Sequence, residues 1–294
     1  MQSREYAKLT NAFPLSATRP EPLGPVRTIA VTGGKGGVGK TNISANLAVA
    51  LADMGKRTLL LDADLGLANL DVVLGLAPKY TLADLIAGRC TLDEVIIEGP
   101  GGVLVVPAAS GRRHMAELAP AQHIGLVNVF SELERDLDVM VIDTAAGITD
   151  SVLTFCQAAQ DTVVVVCDEP ASITDASAMT RAPPGHPWAA PRHSIATLGR
   201  HPNDGRGLQD TLPRVCKNVP GGVARIYPGL GPQDAGLRLG VRHQHPSIRA
   251  SPASPSAQAI AEIARRTSRW QAPTVPRGNV EFFVERIIQR GVAA

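Results

Sequence analysis

Short runs of aliphatic and β-branched residues alternate with segments of helical periodicity through the first 170 residues of the chain. Glycine, proline or charged residues bound each run, which is typical of buried strands. The predicted strands are Arg27–Thr32, Thr58–Asp62, Val103–Val106, Val139–Asp143 and Thr162–Cys167. The predicted helices between them are Ile43–Met54, Gln122–Leu137 and Asp150–Ala159. This order predicts an α/β fold with a mostly parallel, doubly wound sheet and helices on both faces.

The two ends of the chain differ from this pattern. Residues 1–24 lack periodicity and finish in a proline-rich stretch, so they predict a flexible leader before a domain of residues 25–278. Helical periodicity returns at Ala257–Arg269, and residues 279–294 predict a C-terminal amphipathic helix.

That last helix has two interpretations. Its apolar face is suited either to peripheral contact with the inner face of the cell membrane or to packing on the core of the domain. Two glutamates and two arginines leave no net attraction to anionic lipid, which favours packing on the core. The apolar face consists of Val280, Phe283, Val284, Ile287 and Ile288.

Residues 181–256 have a composition of their own. They hold ten Lys and Arg against three Asp and Glu, twelve of the 23 prolines and five of the seven histidines. No persuasive alternation of strands and helices is visible there, because each proline removes a backbone donor and disfavours helix in the preceding residue. Either a frame-damaged stretch or a lineage-specific insertion explains this composition. Turn-forming residues replace core elements here instead of lengthening a loop, which favours damage.

Composition narrows the class of protein. Of 294 residues, 44% are hydrophobic and 19% charged, which is enough for a sizeable core, and no run of 18 apolar residues occurs. The four cysteines lack CxxC spacing, which argues against zinc and against a disulfide framework. With no apolar signal segment at the N-terminus, we expect a cytoplasmic protein. The basic stretch has only two aromatic residues, Trp188 and Tyr227, which argues against a nucleic-acid partner.

A glycine-rich segment carries the strongest chemical signal. Gly34–Thr41 fits G-x-x-x-x-G-K-[ST] and lies between a predicted strand and a predicted helix. Glycines let backbone N–H groups converge on phosphate oxygens, and the helix N-terminus adds a partial positive charge. Lys40 would place its ammonium on the β- and γ-phosphates, and the Thr41 hydroxyl would bind Mg²⁺. The alternative is a chance glycine-rich turn before a helix.

Carboxylates follow two of the apolar strands. Asp62 and Asp143 each close a strand, where open α/β sheets place their ligands. Asp143 is the candidate Walker B residue that accompanies Thr41 at Mg²⁺. Asp62 and Asp64 are two residues apart and point the same way in extended backbone, so one would hold a metal-bound water while the other orients the attacking water. The alternative for each is a helix cap or turn former, and for Asp71 it is the preferred interpretation.

Several segments resemble the MinD/ParA family of deviant Walker A ATPases. Lys35–Thr41, KGGVGKT, is similar to the family's phosphate loop, which has an additional early lysine. Further similarity is to the FlhG/FleN branch of flagellar-number regulators. The segments that carry it are VTGGKGGVGKTN, LLDADLGLANLDVVLGL, GPGGVLVVPAASG, DTAAGITDS, VVCDEPASITDA and PRGNVEFFVERI.

The resemblance implies a role for each matched residue. Lys35 would reach the nucleotide of a partner subunit, Lys40 the phosphates of its own, and Asp64 would orient water in switch I; these three are the implied catalytic residues. Thr41 is the implied Mg²⁺ ligand, Asp62 and Asp143 are outer-shell metal carboxylates, and Gly147 is part of switch II. The implied ATP-binding residues are Gly34, Lys35, Gly36, Gly37, Val38, Gly39, Lys40, Thr41 and Asn42, with Pro232 and Asp234 in the loop that contacts adenine in relatives.

The function implied is a Mg-ATP-binding and hydrolysing switch that regulates flagellar number, flagellar placement and flagellar gene expression. ATP would drive a face-to-face homodimer, and the partners would be a flagellar SRP-type GTPase, a flagellar transcription activator or both. Two alternatives remain open. One is a ParA-type partition ATPase, which would bind DNA in a salt-sensitive way. The other is a non-hydrolysing protein that senses nucleotide and binds a partner.

Overall fold

The computed structural model describes residues 23–109, 118–166, 172, 174–175, 195–197, 225–227, 234–270, 275–276 and 280–293. The strands are β1 (Arg27–Gly33), β2 (Thr58–Ala63), β3 (Ile97–Glu98), β4 (Leu104–Val106), β5 (Val139–Ala146), β6 (Asp161–Val164), β7 (Ile195–Thr197) and β8 (Arg225–Tyr227). The helices are α1 (Lys40–Asp53), α2 (Leu70–Leu74), α3 (Leu82–Ile86), α4 (Leu92–Val95), α5 (Pro120–Val129), α6 (Asp150–Ala158), α7 (Ala235–His243), α8 (Ser247–Ala250), α9 (Pro255–Thr267) and α10 (Val284–Ala293).

Six strands form one sheet in the order β3-β4-β2-β5-β1-β6. All neighbours are parallel except β3 and β4. Alternate residues enter two separate cores: Leu60 packs with α1 and α9 on one face, whereas Leu59 and Leu61 pack with α5 and α6 on the other. The prediction of a mostly parallel, doubly wound sheet is therefore confirmed, and each predicted strand has its counterpart within a few residues.

Three short helices between β2 and β4 were missed by the sequence analysis, although two carry a recognisable start signal. Thr81 and Asp84 form a capping box at the start of α3, and Thr91 and Glu94 form another at the start of α4. Such a reciprocal cap satisfies two backbone donors that a helix start leaves open. The helices are only four or five residues long, too short for periodicity to reveal them.

The proline-rich stretch contains more regular structure than its composition predicts. Two strands, β7 and β8, pair in parallel, and α7 and α8 precede the predicted helix α9. The absence of regular elements expected for residues 181–256 is therefore wrong in these places. Two of the prolines lie where helices tolerate them, Pro246 at the N-cap of α8 and Pro255 at the first position of α9. Neither position needs an amide donor.

The C-terminal helix begins at Val284, five residues later than predicted. The reason is Phe283, whose φ of 57° is outside helical geometry and interrupts the turn before it. This turn buries Phe282 and Phe283 completely, and Ile287 follows on the same side. The Arg286 guanidinium donates to the carbonyls of Leu133 and Arg135, the latter at 3.0 Å. The structure thus has this helix packed on the core, as the charge balance favoured.

In the described part of the chain, no helix has the length and apolar character needed to cross a membrane.

Phe282→Ala is expected to lower the free energy of unfolding by about 3–5 kcal/mol, because it empties a fully buried site. The Phe282 ring lies edge-on to Phe130 at 5.5 Å between centroids and stacks on Phe155 at 6.4 Å. Urea unfolding measures the change. Ile288→Ala on the same helix is the matched control, since that side chain is 49% exposed. Equal losses in the two variants would contradict the packed arrangement.

Candidate functional site

The loop after β1 has the conformation of a phosphate cradle. Gly37 and Gly39 have φ values of 76° and 94°, which residues with a Cβ rarely adopt. A Cβ added at Gly36, Gly37 or Gly39 would meet no atom within 4 Å, so this side of the loop faces open space. Gly34 differs, because its Cβ would lie 2.2 Å from the Cβ of Asp175. That close approach excludes any larger residue at Gly34.

Asp143 is tied to the start of α1 by hydrogen bonds. The Ser44 hydroxyl donates to its Oδ1 at 2.8 Å, and the Thr41 hydroxyl also donates to this carboxylate. Burial raises the pKa of Asp143 to about 6, although the hydroxyls of Ser44 and Thr41 and the nearby Lys40 ammonium oppose that shift. The Walker A lysine and threonine therefore lie beside the predicted Walker B carboxylate. Ser44 was missed by the sequence analysis, although it follows Lys40 by four residues on the same helix face.

Asp62 lies opposite Asp143 in the pairing of β2 with β5. Its carboxylate accepts the backbone N–H groups of Asp64, Asn69 and Leu70 at 3.1–3.2 Å, which fixes the loop between β2 and α2. Burial and the neighbouring charge of Asp143 raise the pKa of Asp62 well above its usual value. Asp62 thus combines the capping role with a place at the predicted metal site.

Asp64 is more accessible to solvent than Asp62. It is partly exposed and lines the same cavity as Lys40 and Thr41. Its Oδ1 accepts the Leu67 N–H at 3.0 Å, which leaves the other oxygen outside this turn. The two aspartates therefore have different surroundings: Asp62 is enclosed by backbone amides, and Asp64 faces the open cavity.

The donor set fits a magnesium ion. Asp62 and Asp143 are both only 1% exposed, and burial raises the pKa of both, so a divalent cation beside them would compensate the negative charge that their ionisation places in the interior. Mg²⁺ takes one or two carboxylates together with hydroxyl, water and phosphate oxygens. Among the described residues no three His, Cys, Asp or Glu side chains converge on one point. Such a cation would accordingly depend on a phosphate-bearing ligand.

Two cavities meet at the glycine-rich loop. The larger, of about 920 Å³, lies between this loop, the segment Asp64–Asn69 and the residues that follow β5. The smaller, of about 330 Å³ and mostly apolar, lies between the loop and α7, with Leu237 and Val241 in its wall. Gly37, Gly39 and Asn42 line both. A ligand with a charged end and an apolar end would find suitable surfaces in the two cavities.

Lys35 and Lys40 occupy different environments despite belonging to one loop. Lys40 is 7% exposed and lines the larger cavity, whereas Lys35 is exposed and lines neither cavity. Gly147 in the segment after β5 has a φ of 90°, and its N–H donates to the Gly33 carbonyl at 3.1 Å. The segment after β5 is thereby held against the start of the glycine-rich loop; its assignment to switch II stays a prediction.

The two residues predicted to contact adenine have separate outcomes. Pro232 lies outside the described residues. Asp234 caps α7: its Oδ1 accepts the Leu237 N–H and its Oδ2 accepts the Ser256 N–H, both at 2.9 Å. Burial would raise the pKa of Asp234, but these amide bonds outweigh it and lower the pKa. Asp234 lines neither cavity, and its contact with adenine stays a prediction.

Asp143→Asn is expected to stabilise the nucleotide-free protein by roughly 5 °C in Tm at pH 7.5. The pKa of Asp143 is raised in the folded state from 3.8 to about 6. The carboxyl group therefore stabilises the fold below pH 3.8, and that stabilisation is lost as the pH rises through about 6. The neutral amide does not incur this loss. Thermal unfolding at pH 7.5 and at pH 5 measures the difference, which should shrink at the lower pH; an equal gain at both pH values would contradict the argument.

Known proteins are similar to this chain in both sequence and fold. A family model described as the CobQ/CobB/MinD/ParA nucleotide binding domain matches residues 29–273. The chain is 51% identical over 265 residues to the antiactivator FleN of Pseudomonas aeruginosa, covering 90% of this chain and 94% of that protein. It is 31% identical over 269 residues to the flagellum site-determining protein YlxH of Helicobacter pylori, covering 90% and 91%. The solved structure of the septum site-determining protein MinD with Mg-ADP from Pyrococcus horikoshii matches with a TM-score of 0.67 at 28% identity, covering 83% of this chain and 96% of that one.

Proposed function

The chain belongs to the CobQ/CobB/MinD/ParA nucleotide-binding family, and we propose that it is a Mg-ATP-dependent switch that regulates flagellar number and placement. The predicted MinD/ParA membership is confirmed, as is the predicted similarity to FleN. What supports the proposal is the cavity that Lys40, Thr41 and Asp64 line together, with the buried carboxylate of Asp143 beside Lys40 and Thr41.

The chain's own groups account for binding. The glycine-rich loop offers backbone N–H groups to phosphate oxygens, and Lys40 adds a buried positive charge beside them. Thr41, Asp143 and Asp62 would hold Mg²⁺, which when bound neutralises charge on the phosphates. Leu237 and Val241 supply an apolar surface for the nucleoside end of the ligand.

Hydrolysis requires little covalent chemistry from the protein. Phosphoryl transfer passes through a loose transition state, so positioning and charge stabilisation contribute most of the acceleration. Asp64 lies at the cavity with one carboxylate oxygen outside its turn, and that oxygen would orient the attacking water. Asp62, enclosed by three amides, instead keeps the loop that carries Asp64 in place.

The flagellar role is supported by the relatives. The protein 51% identical to this chain is named an antiactivator, and another relative is named for determining the site of flagella. We propose that the ATP state sets which partner is bound, either a flagellar transcription activator or a flagellar SRP-type GTPase. Regulation through a nucleotide requires only that ATP bind one conformation or assembly more tightly than another.

A homodimer would complete the site. Lys35 is exposed at the mouth of the loop, and two apolar side chains nearby are also exposed, Leu67 at 72% and Ile148 at 58%. A second copy packed over the cavity would cover this apolar surface and bring its own Lys35 to the nucleotide.

Lys35→Ala is expected to abolish ATP-dependent self-association while leaving Mg-ATP affinity within about twofold of wild type, because Lys35 lies outside its own cavity. Light scattering with and without Mg-ATP measures the mass. Wild type should double its mass on adding nucleotide, and the variant should remain monomeric. An ATP-dependent dimer of unchanged stability in the variant would contradict this role.

The proposed function is tested on the wild-type chain. Calorimetry should detect binding of Mg-ATP that is lost with EDTA, and a phosphate-release assay should detect slow hydrolysis. Binding without any phosphate release would favour the non-hydrolysing partner-binding protein. Absence of binding would refute the proposal, and salt-sensitive DNA binding would favour the partition ATPase.

A further inference from the structure

Asn46 is a buried polar residue in the most apolar part of α1. It is 1% exposed, and the helix around it, from Ile43 to Leu51, is buried without interruption. The sheet covers one side of α1 and α9 covers another. Burying an amide in such surroundings is costly unless its donors and acceptor are used. Asn46 therefore needs specific hydrogen-bond partners at this position.

Both the nitrogen and the oxygen of the Asn46 amide have hydrogen-bond partners, one in α1 and the others in α8. Its Nδ2 donates to the carbonyl of Asn42 at 2.7 Å, in the first turn of α1. Its Oδ1 accepts the Ser247 hydroxyl at 3.0 Å and the Ile248 N–H at 2.9 Å. One side chain thus joins the phosphate-binding turn to a helix some 200 residues later in the chain.

The second contact serves as the missing cap of α8. The residue at the N-cap of this helix is Pro246, which makes no side-chain cap. Asn46 instead accepts the amide at the second position of the helix, which is the bond that an N-cap side chain ordinarily makes. The start of α8 is therefore fixed by α1 and not by its own sequence.

The start of α8 is in turn packed directly against α7. A Cβ added at Gly240 in α7 would lie 2.6 Å from the His245 carbonyl and 3.2 Å from the Ser247 nitrogen. Backbone meets backbone here, so a shift of Ser247 is passed to α7 without a flexible side chain between them. Leu237 and Val241 of α7 form the apolar wall of the smaller cavity.

We infer that Asn46 is a positioning residue that fixes the apolar wall on α7 relative to the phosphate-binding turn. Asn42 lines both cavities, and Asn46 holds its carbonyl from inside the core, so Asn46 fixes the turn at which the two cavities meet. This inference rests on the proposed function, because it assigns the nucleoside end of ATP to the smaller cavity. Asn46 does not itself touch that cavity and acts through α8 and α7.

The test compares Mg-ATP with Mg-tripolyphosphate, which has the phosphates but neither ribose nor base. In Asn46→Ala, the affinity for Mg-ATP should fall by about tenfold more than the affinity for Mg-tripolyphosphate, both measured by calorimetry. Equal losses for both ligands, or no loss, would overturn the inference, since a residue that only supports the fold has no means of distinguishing them.

Ser247→Ala decides the question if Asn46→Ala does not fold. This variant removes the hydroxyl that donates to Asn46 Oδ1, so the affinity for Mg-ATP should again fall more than the affinity for Mg-tripolyphosphate, but by a smaller factor. An unchanged ratio of the two affinities overturns the inference. Ser268→Ala is the matched control, because that exposed hydroxyl bonds only locally to the Arg265 carbonyl. Wild type that binds neither ligand would refute the proposed function itself, whereas wild-type binding with equal losses refutes only the role of Asn46.

Discussion

Lys40→Ala is expected to weaken Mg-ATP binding by about 100-fold or more. Lys40 is the buried cation of the larger cavity, and its charge already acts on Asp143 in the absence of ligand. Phosphate oxygens held by backbone amides would lose their closest positive charge. Calorimetric titration with Mg-ATP measures the affinity, and thermal unfolding establishes that the variant is folded.

The matched control for Lys40 lies in the same loop. Lys35→Ala removes an identical side chain five residues earlier, but from an exposed position outside the cavity. Its Mg-ATP affinity should stay close to wild type. If Lys40→Ala and Lys35→Ala lost Mg-ATP affinity equally, the assignment of Lys40 to its own nucleotide and Lys35 to the partner's would be wrong. If neither variant lost affinity, the glycine-rich loop would not be the phosphate site.

The positions of the site residues follow from the sequence because they lie at strand ends. Asp62 and Asp143 each close an apolar strand, and parallel strands bring their carboxyl ends to one edge of the sheet. The structure places these two residues opposite each other in the β2–β5 pairing. No tertiary information was needed beyond the parallel order of the strands.

Other features depend on contacts that the sequence does not reveal. The carboxylate of Asp234 bonds to Ser256, 22 residues later, and that contact exists only once α7 and α9 are packed together. Asn46 looks like one more residue of an apolar helix until its partner Ser247 is known. The positive φ of Phe283 has no local signal, since an aromatic residue in that region is held there only by the packing of its ring.

Asp64→Ala is expected to slow phosphate release by about 100-fold while leaving Mg-ATP affinity within about threefold of wild type. The carboxylate lines the cavity and is bonded at one oxygen to the Leu67 N–H, so its loss removes a group that faces the ligand and little of the fold. Single-turnover phosphate release at saturating Mg-ATP measures the hydrolysis step without the contribution of product release.

Asp71→Ala is the appropriate comparison for this effect. Asp71 belongs to the same segment, but its carboxylate accepts the adjacent Val72 N–H at 2.8 Å and does not line the cavity. Its phosphate release should match wild type. Equal background rates in wild type and Asp64→Ala would refute hydrolysis by this site. A loss in Asp64→Ala accompanied by an equal loss of Mg-ATP affinity would mean that the carboxylate supports binding, and water would then have to be oriented by another group in the cavity.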